Sequence, residues 1–203
     1  MHIGTNGWSE DAEQNRRIGI DYGRRALATA GEDPGALGNA ATALATFGED
    51  IGTMIGVLDR ALALNPSFAR GWYLSGGLKL FSGDPDGAIA RLERSRSLSP
   101  RARIGAENSI LGLAYLVKRQ FDEAASTLLM AIQEMPAGPH AYRSLAACYA
   151  HLGRLAEARE IIERLRALTP AVMPGDLLWL RNPEHRELLL SGLRLAMGET
   201  AKS

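Results

Sequence analysis

The sequence lacks several features that would assign it to a class at once. It has a single cysteine, Cys148, among 203 residues, so an internal disulfide is impossible and a reducing compartment is expected. The 23 basic residues balance the 23 acidic ones, so no net charge draws the chain to nucleic acid. No apolar run approaches the roughly 20 residues of a membrane-spanning helix, and residues 1–7 do not resemble a signal peptide. We therefore expect a cytoplasmic chain with no membrane or nucleic-acid partner.

Internal repetition is what the sequence does contain. Apolar residues make up 46 % of the chain, enough for a continuous core. Segments 69–100, 105–136 and 139–170 align without a gap, and 34–66 matches if one extra residue is allowed near Glu49. Each of the four ends on a proline, which cannot continue a helix. A period of about 34 residues predicts an array of repeated structural units that stack on one another.

Small residues recur at two places in these units, where we expect two helices to cross closely. Larger side chains there would push the helix axes beyond the roughly 8–10 Å of normal packing. The positions are Gly76, Gly112 and Ala146 on the first helices and Ala88, Ala124 and Ala158 on the second.

These residues resemble the tetratricopeptide repeat family. Leu111-Gly112-x-x-Tyr115 and Leu145-Ala146-x-x-Tyr149 match its first-helix signature, and Phe121-Asp122-Glu123-Ala124 matches the start of its second helix. The resemblance implies an all-α fold, an α-solenoid of helix–turn–helix repeats wound as a right-handed superhelix.

The repeats predict three parts of the chain. Residues 1–33 form an N-terminal segment with a capping helix, capped at Ser9, that could be the second helix of a truncated unit. Residues 34–170 hold the four units 34–66, 69–100, 105–136 and 139–170. Residues 171–203 form a connecting loop and a final capping helix that begins at Asn182-Pro183.

The usual constellations of catalytic residues do not appear, so we expect a protein that is not an enzyme, with no catalytic residue, cofactor or metal. His140 and His151 would stand about 16 Å apart on one helix, too far to share a metal. Cys148 is expected to be a buried thiol rather than a nucleophile. The basic residues Arg91, Arg94, Arg96, Arg101 and Arg103 are either a nucleic-acid patch or, as we favour, a solvated face without stacking aromatics.

The resemblance also implies where a protein or peptide partner would bind. In this family the first helices of successive units line a concave groove, and an amphipathic helix or an extended segment would fit it. The alternative is that these positions pack against a neighbouring unit or the final helix. The groove positions are Arg70, Tyr73, Leu80, Phe81, Ser109, Leu113, Leu116, His140, Arg143 and His151.

Three longer segments of the sequence indicate a more specific resemblance within this family. LDRALALNPSFARGWYLSGG, GRLAEAREIIERLRALTP and NPEHRELLLSGLRLAMGE look like the C-terminal helical region of bacterial class III adenylate/guanylate cyclases. The first hypothesis is therefore a non-catalytic regulatory or interaction module of such a signalling protein. The tail of a transcription regulator, or a stand-alone scaffold, is a second hypothesis. The third is an enzyme with an unrecognised site.

Overall fold

The computed structural model describes residues 12–100, 105–174, 177 and 179–199, and the described part is all-helical with no strand. The all-α prediction is confirmed. The predicted cap at Ser9 lies outside the described residues. The ten helices are α1 (Ala12–Thr29), α2 (Pro34–Thr46), α3 (Ile51–Leu64), α4 (Ala69–Ser82), α5 (Pro85–Leu98), α6 (Gly105–Val117), α7 (Phe121–Glu134), α8 (Pro139–His151), α9 (Leu155–Leu168) and α10 (Pro183–Ala196).

Local sequence signals explain where several helices begin. The side chains of Asp33, Asp50, Asp84 and Asn182 accept hydrogen bonds from backbone N–H groups of the first turn that follows each of them. These bonds satisfy donors that a helix start otherwise leaves without partners. Proline follows Asp33, Asp84 and Asn182 at the first helical position, where its missing N–H costs nothing. At the turn before α9, Gly153 adopts a φ of +75°, a conformation that favours glycine.

The described residues form two compact units. The first contains α1–α5 together with residues 177 and 179–181, and the second contains α6–α9, residues 169–174 and α10. The stretch after α9 is thus divided between the two units. Each of the segments 34–66, 69–100, 105–136 and 139–170 holds one consecutive pair of helices.

Small residues lie where the helices of a pair meet. Ala88, Ala124 and Ala158 are completely buried. A Cβ added to Gly112 would lie 2.5 Å from Leu128 Cγ, so the first and second helices of that pair approach too closely for any side chain there. The crossing positions are therefore filled as the repeat pattern predicted.

Candidate partner-binding surface

In the first compact unit, the C-terminal ends of α2 and α4 are covered by a short segment of the same chain, residues 177 and 179–181, here called the strap. The backbone N–H of Arg181 donates to the Phe81 carbonyl at 2.7 Å, and its Nη2 donates to the Ala45 carbonyl at 3.0 Å. Both carbonyls lie in last turns, where a helix leaves acceptors unsatisfied and favours a cation. Arg181 thus anchors the strap to two helix ends.

Aromatic and aliphatic side chains complete this cover. The Trp179 ring meets the Phe81 ring edge-on, with centroids 4.8 Å apart and an interplanar angle of 68°. Leu180 of the strap is completely buried, and so is Leu80, a predicted groove residue. The predicted groove residue Phe81 therefore packs against the chain itself.

In the second compact unit, residues 171 and 172 occupy the predicted position of a partner at Arg143. This side chain is 2 % exposed. Its Nε donates to the Val172 carbonyl at 2.9 Å and its Nη2 to the Ala171 carbonyl at 2.6 Å. Burial lowers the pKa of the guanidinium from its usual value. The predicted groove residue Arg143 is therefore corrected: its side chain is buried and holds a segment of its own chain.

Helix α10 covers the C-terminal half of α8. Nε2 of His151 lies 2.8 Å from the Leu188 carbonyl oxygen, a contact that requires the proton on Nε2, and the imidazole stacks on the Phe121 ring. A Cβ on Gly192 of α10 would lie 2.7 Å from Ala147 Cβ. The predicted groove residue His151 is thus bound to α10.

The remaining groove positions divide into buried and accessible ones. Leu113 and Leu116 are buried and, like Leu80 and Arg143, are not available to a partner. The repeat pattern predicted that these residues face the groove, but it does not specify which other segments pack on them. Ser109, whose hydroxyl donates to the Gly105 carbonyl at 3.0 Å, is partly exposed, as is His140.

In the first unit the accessible positions are Arg70 and Tyr73. Arg70 is exposed and its Nη2 donates to Oδ1 of Asn39 at 3.1 Å. Tyr73 is partly buried against the apolar core of α2–α4. Within the described residues, the accessible groove positions are therefore Arg70 and Tyr73 of α4, Ser109 of α6 and His140 of α8. Arg143 also lies in the N-terminal half of α8, but it is covered.

The sequence contained a signal for this cover. The stretch from Leu177 to Arg181 was interpreted as a connecting loop, yet it carries Leu177, Trp179 and Leu180. An exposed loop with so many large apolar residues is uncommon, because each of them gains about 1.5–3 kcal/mol when buried. That composition predicts a loop that packs onto the repeats.

An apolar groove in the first unit was not predicted. It has a volume of about 350 Å³ and lies between α1 and α2, and we call it the α1–α2 groove. Tyr22, which lines it, is 64 % exposed, and the neighbouring Ile18 of α1 is 44 % exposed. The lining residues are Gly19, Tyr22, Gly23 and Ala26 of α1, Ala36, Asn39, Ala40 and Ala43 of α2, and Phe47.

The surroundings of Cys148 do not favour a catalytic role. Cys148 is completely buried, and burial, with a smaller contribution from Asp122, raises the pKa of its thiol to about 12. A thiol with such a pKa is almost fully protonated near neutral pH and is a poor nucleophile. In the described part of the chain, no three His, Cys, Asp or Glu side chains are grouped closely enough to hold a metal ion.

One member of the basic cluster, Arg91, is engaged in side-chain contacts. Arg91 pairs with Asp59 at 2.6 Å and also donates to the Ser75 hydroxyl. Arg101 and Arg103 lie outside the described residues. Among the described helices, none is long and apolar enough to cross a membrane.

Residues 110–172 match the tetratricopeptide repeat family, which supports the repeat family expected from the sequence. No curated protein matches the chain. Solved structures that share its fold include YrrB, MamA and PilW. YrrB, described as a TPR protein with an unusual peptide-binding site, is 20 % identical over 90 % of this chain and 94 % of its own, with a TM-score of 0.58.

The other two are similarly distant. MamA from Desulfovibrio magneticus is 21 % identical over 79 % of this chain and 96 % of its own, with a TM-score of 0.60. PilW, a type IV pilus biogenesis factor, is 17 % identical over 93 % of this chain and 89 % of its own, with a TM-score of 0.67. At these identities the likeness shows a solenoid of tetratricopeptide repeats, and it gives no support to a cyclase context.

Proposed function

We propose that this chain is a non-catalytic module that binds a protein or peptide on the open part of its first helices. The observation that carries the proposal is the use the fold already makes of these helices. In the second unit, Arg143 of α8 holds an adjoining backbone segment by two guanidinium–carbonyl hydrogen bonds. A peptide backbone is thus a ligand that this type of surface recognises by geometry and charge.

A partner would reach the N-terminal halves of the first helices, at Arg70 and Tyr73 in the first unit and at Ser109 and His140 in the second. These four residues of the predicted groove retain exposed surface. An acidic segment suits Arg70, whose exposed guanidinium contributes more to orientation and association rate than to affinity.

Three settings are compatible with this function, and they differ in the protein that the module serves. The resemblance to cyclase tails predicts a regulatory role beside a nucleotide cyclase. A stand-alone scaffold with no cyclase is equally compatible with the same fold. In the third setting the module is the tail of a transcription regulator, and it binds its partner in the same way.

Two serines provide a matched test of the groove. Ser109 on α6 and Ser126 on α7 both donate their hydroxyl to a carbonyl of their own helix, and Ser126 is exposed on the second helix of the pair. Affinity capture of the partner, followed by titration with the purified partner, should show weaker binding for Ser109→Arg and unchanged binding for Ser126→Arg. Equal affinities in two equally folded variants would contradict a partner site on the first helices.

A further inference from the structure

We propose that the α1–α2 groove is the position of a repeat's first helix, which none of the described residues fills, and that it binds an acidic amphipathic helix of a partner protein. The inference rests on the proposed interaction function, but it concerns a surface separate from Ser109 and His140. Its basis is a comparison of the groove with equivalent positions in the later repeats.

The first wall of the groove is the inner face of a second helix. The sequence Arg25-Ala26-Leu27-Ala28 of α1 recurs as Arg60-Ala61-Leu62-Ala63 of α3. Ala61 is completely buried and packs with Leu37 of α2, the first helix of its own pair. Ala26, its counterpart, is exposed and lines the groove. The described residues therefore provide α1 with no first helix of its own.

The second wall is the leading face of a first helix. Asn39 of α2 stands at the same repeat position as Leu74 of α4, since each is the sixth residue of its helix. Leu74 is 9 % exposed because it packs on Ala41 and Leu44 of the preceding first helix. Asn39 is exposed at the groove. Both walls thus present the surfaces that a preceding first helix covers elsewhere in this fold.

The length and apolar face of the occupant follow from the same comparison. The corresponding positions within each unit are filled by α2 beside α3 and α4, by α6 beside α7 and α8, and by α8 beside α9 and α10, and each of these three helices has 13 residues. Helix-in-groove recognition uses apolar residues at spacings of three and four. The exposed Ile18 and Tyr22 lie four residues apart on α1, so they present one stripe to such a helix.

The charge of the occupant follows from the walls. Helix α1 carries Arg16, Arg17, Arg24 and Arg25 against Glu13 and Asp21, whereas α2 has no charged residue. Each of the four arginines pairs with an acidic side chain, Glu13, Asp21 or Glu49, and stays between 50 % and 78 % exposed. Four basic groups against these three acidic groups leave one excess positive charge. A net positive wall favours a helix with acidic flanks over a basic one, through orientation and association rate.

The binding probe is a synthetic helix with the sequence of residues 105–117 of this chain, extended at both ends by glutamates. In the second unit this sequence forms α6, which packs on α7 and α8, the pair equivalent to α1 and α2. Controls are the same helix with lysine flanks and an acidic peptide with the apolar residues scrambled. We expect the acidic helix to bind the full chain, and both controls to bind at least about tenfold more weakly.

Variants locate the site. Ala26→Glu adds a like charge in the groove, and Tyr22→Ala removes its exposed aromatic, so each should raise the Kd of the acidic helix about tenfold or more. Ala90→Glu, at an exposed alanine on α5, is the matched control. This variant and Ser109→Arg, which lies outside the α1–α2 groove, should bind the acidic helix as the wild type does. No binding by the wild type, equal Kd values for Ala26→Glu and Ala90→Glu, or equal binding of the lysine-flanked helix would overturn the proposal.

Other occupants give distinct outcomes. If Trp8→Glu in the full chain raises the affinity for the acidic helix, residues before α1 compete for the groove, and the partner assignment fails. If the chain without peptide is a dimer in light scattering and Ala26→Glu makes it a monomer, a second copy is the occupant and the assignment fails again. A further outcome is that Ser109→Arg loses the captured partner while the wild-type chain does not bind the acidic helix. This result would reject the α1–α2 groove as a helix-binding site and leave the proposed function intact.

Discussion

Arg143 and Val172 are joined by a hydrogen bond of 2.9 Å from the guanidinium Nε to the backbone carbonyl, 29 residues along the chain. The same guanidinium binds the neighbouring Ala171 carbonyl. The polar side chain that the repeat pattern assigned to a partner therefore fastens the segment after α9 to α8.

Arg143→Met should lower the free energy of unfolding by about 2–3 kcal/mol, because it removes two charge-assisted hydrogen bonds and leaves two carbonyls without their donor. Urea unfolding followed by circular dichroism measures the change. Arg159→Met, at an exposed position on the neighbouring α9, is the matched control and should stay within about 0.5 kcal/mol of the wild type. Similar losses for both variants would show that the buried contact contributes nothing.

Phe81→Ala should destabilise the fold by about 2 kcal/mol, because it removes the edge-on contact with Trp179 and part of the core packing beneath the strap. Tyr22→Ala, at a side chain 64 % exposed, should leave the unfolding midpoint nearly unchanged. A Phe81→Ala variant as stable as Tyr22→Ala would mean that the strap is not held by this pair.

Ala124→Leu or Ala158→Leu should cost about 1–3 kcal/mol, because both alanines are completely buried where two helices cross. Ala156→Leu places the same side chain at an exposed position of α9, and its effect should be small. Thermal unfolding of the three variants provides the comparison. If the buried and exposed variants unfold at the same temperature, the repeat register assigned to the crossing positions is wrong.

Cys148 should resist alkylation in the folded protein. At pH 8 a pKa of about 12 leaves roughly one thiol in ten thousand ionised, and the thiolate is the reactive form. Mass spectrometry after iodoacetamide treatment should show almost no product until denaturant is added. Rapid labelling in buffer would contradict the burial of this thiol.

Because the pKa of the Cys148 thiol is raised in the folded protein, the free energy of unfolding should fall as the pH rises. Burial raises the thiol pKa from 9.0 to about 12, so the unfolded chain releases this proton first as pH rises. The contribution is fully present below pH 9.0 and is lost progressively between that value and about 12. Cys148→Ala should therefore lose less stability than the wild type over this range, and parallel curves would exclude the coupling.

The purified chain should form no cyclic nucleotide from ATP or GTP. Class III cyclase chemistry requires metals held by paired carboxylates, and no three His, Cys, Asp or Glu side chains of the described residues are grouped so that they could hold a metal ion. Product formation measured with Mg²⁺ or Mn²⁺ should equal the blank without protein. Metal-dependent product that a point substitution in this chain abolishes would make it an enzyme.

The sequence by itself determined the helices and their pairing. The caps at Asp84 and Asn182 act within one helical turn, and the small residues at Gly112 and Ala124 act between neighbouring helices. Such signals are short-ranged, and here they recur with the period of the repeat, so they could be recognised without coordinates.

Only the tertiary structure decided which repeat surfaces remain open. Arg181 reaches the Ala45 carbonyl across 136 residues, a contact that no repeat pattern encodes, because the strap lies outside the repeats. The same holds for Ala26, which matches the buried Ala61 in sequence yet is exposed because no described first helix covers it. A periodic sequence specifies which way a side chain faces, whereas exposure depends on non-repeating segments that pack upon it.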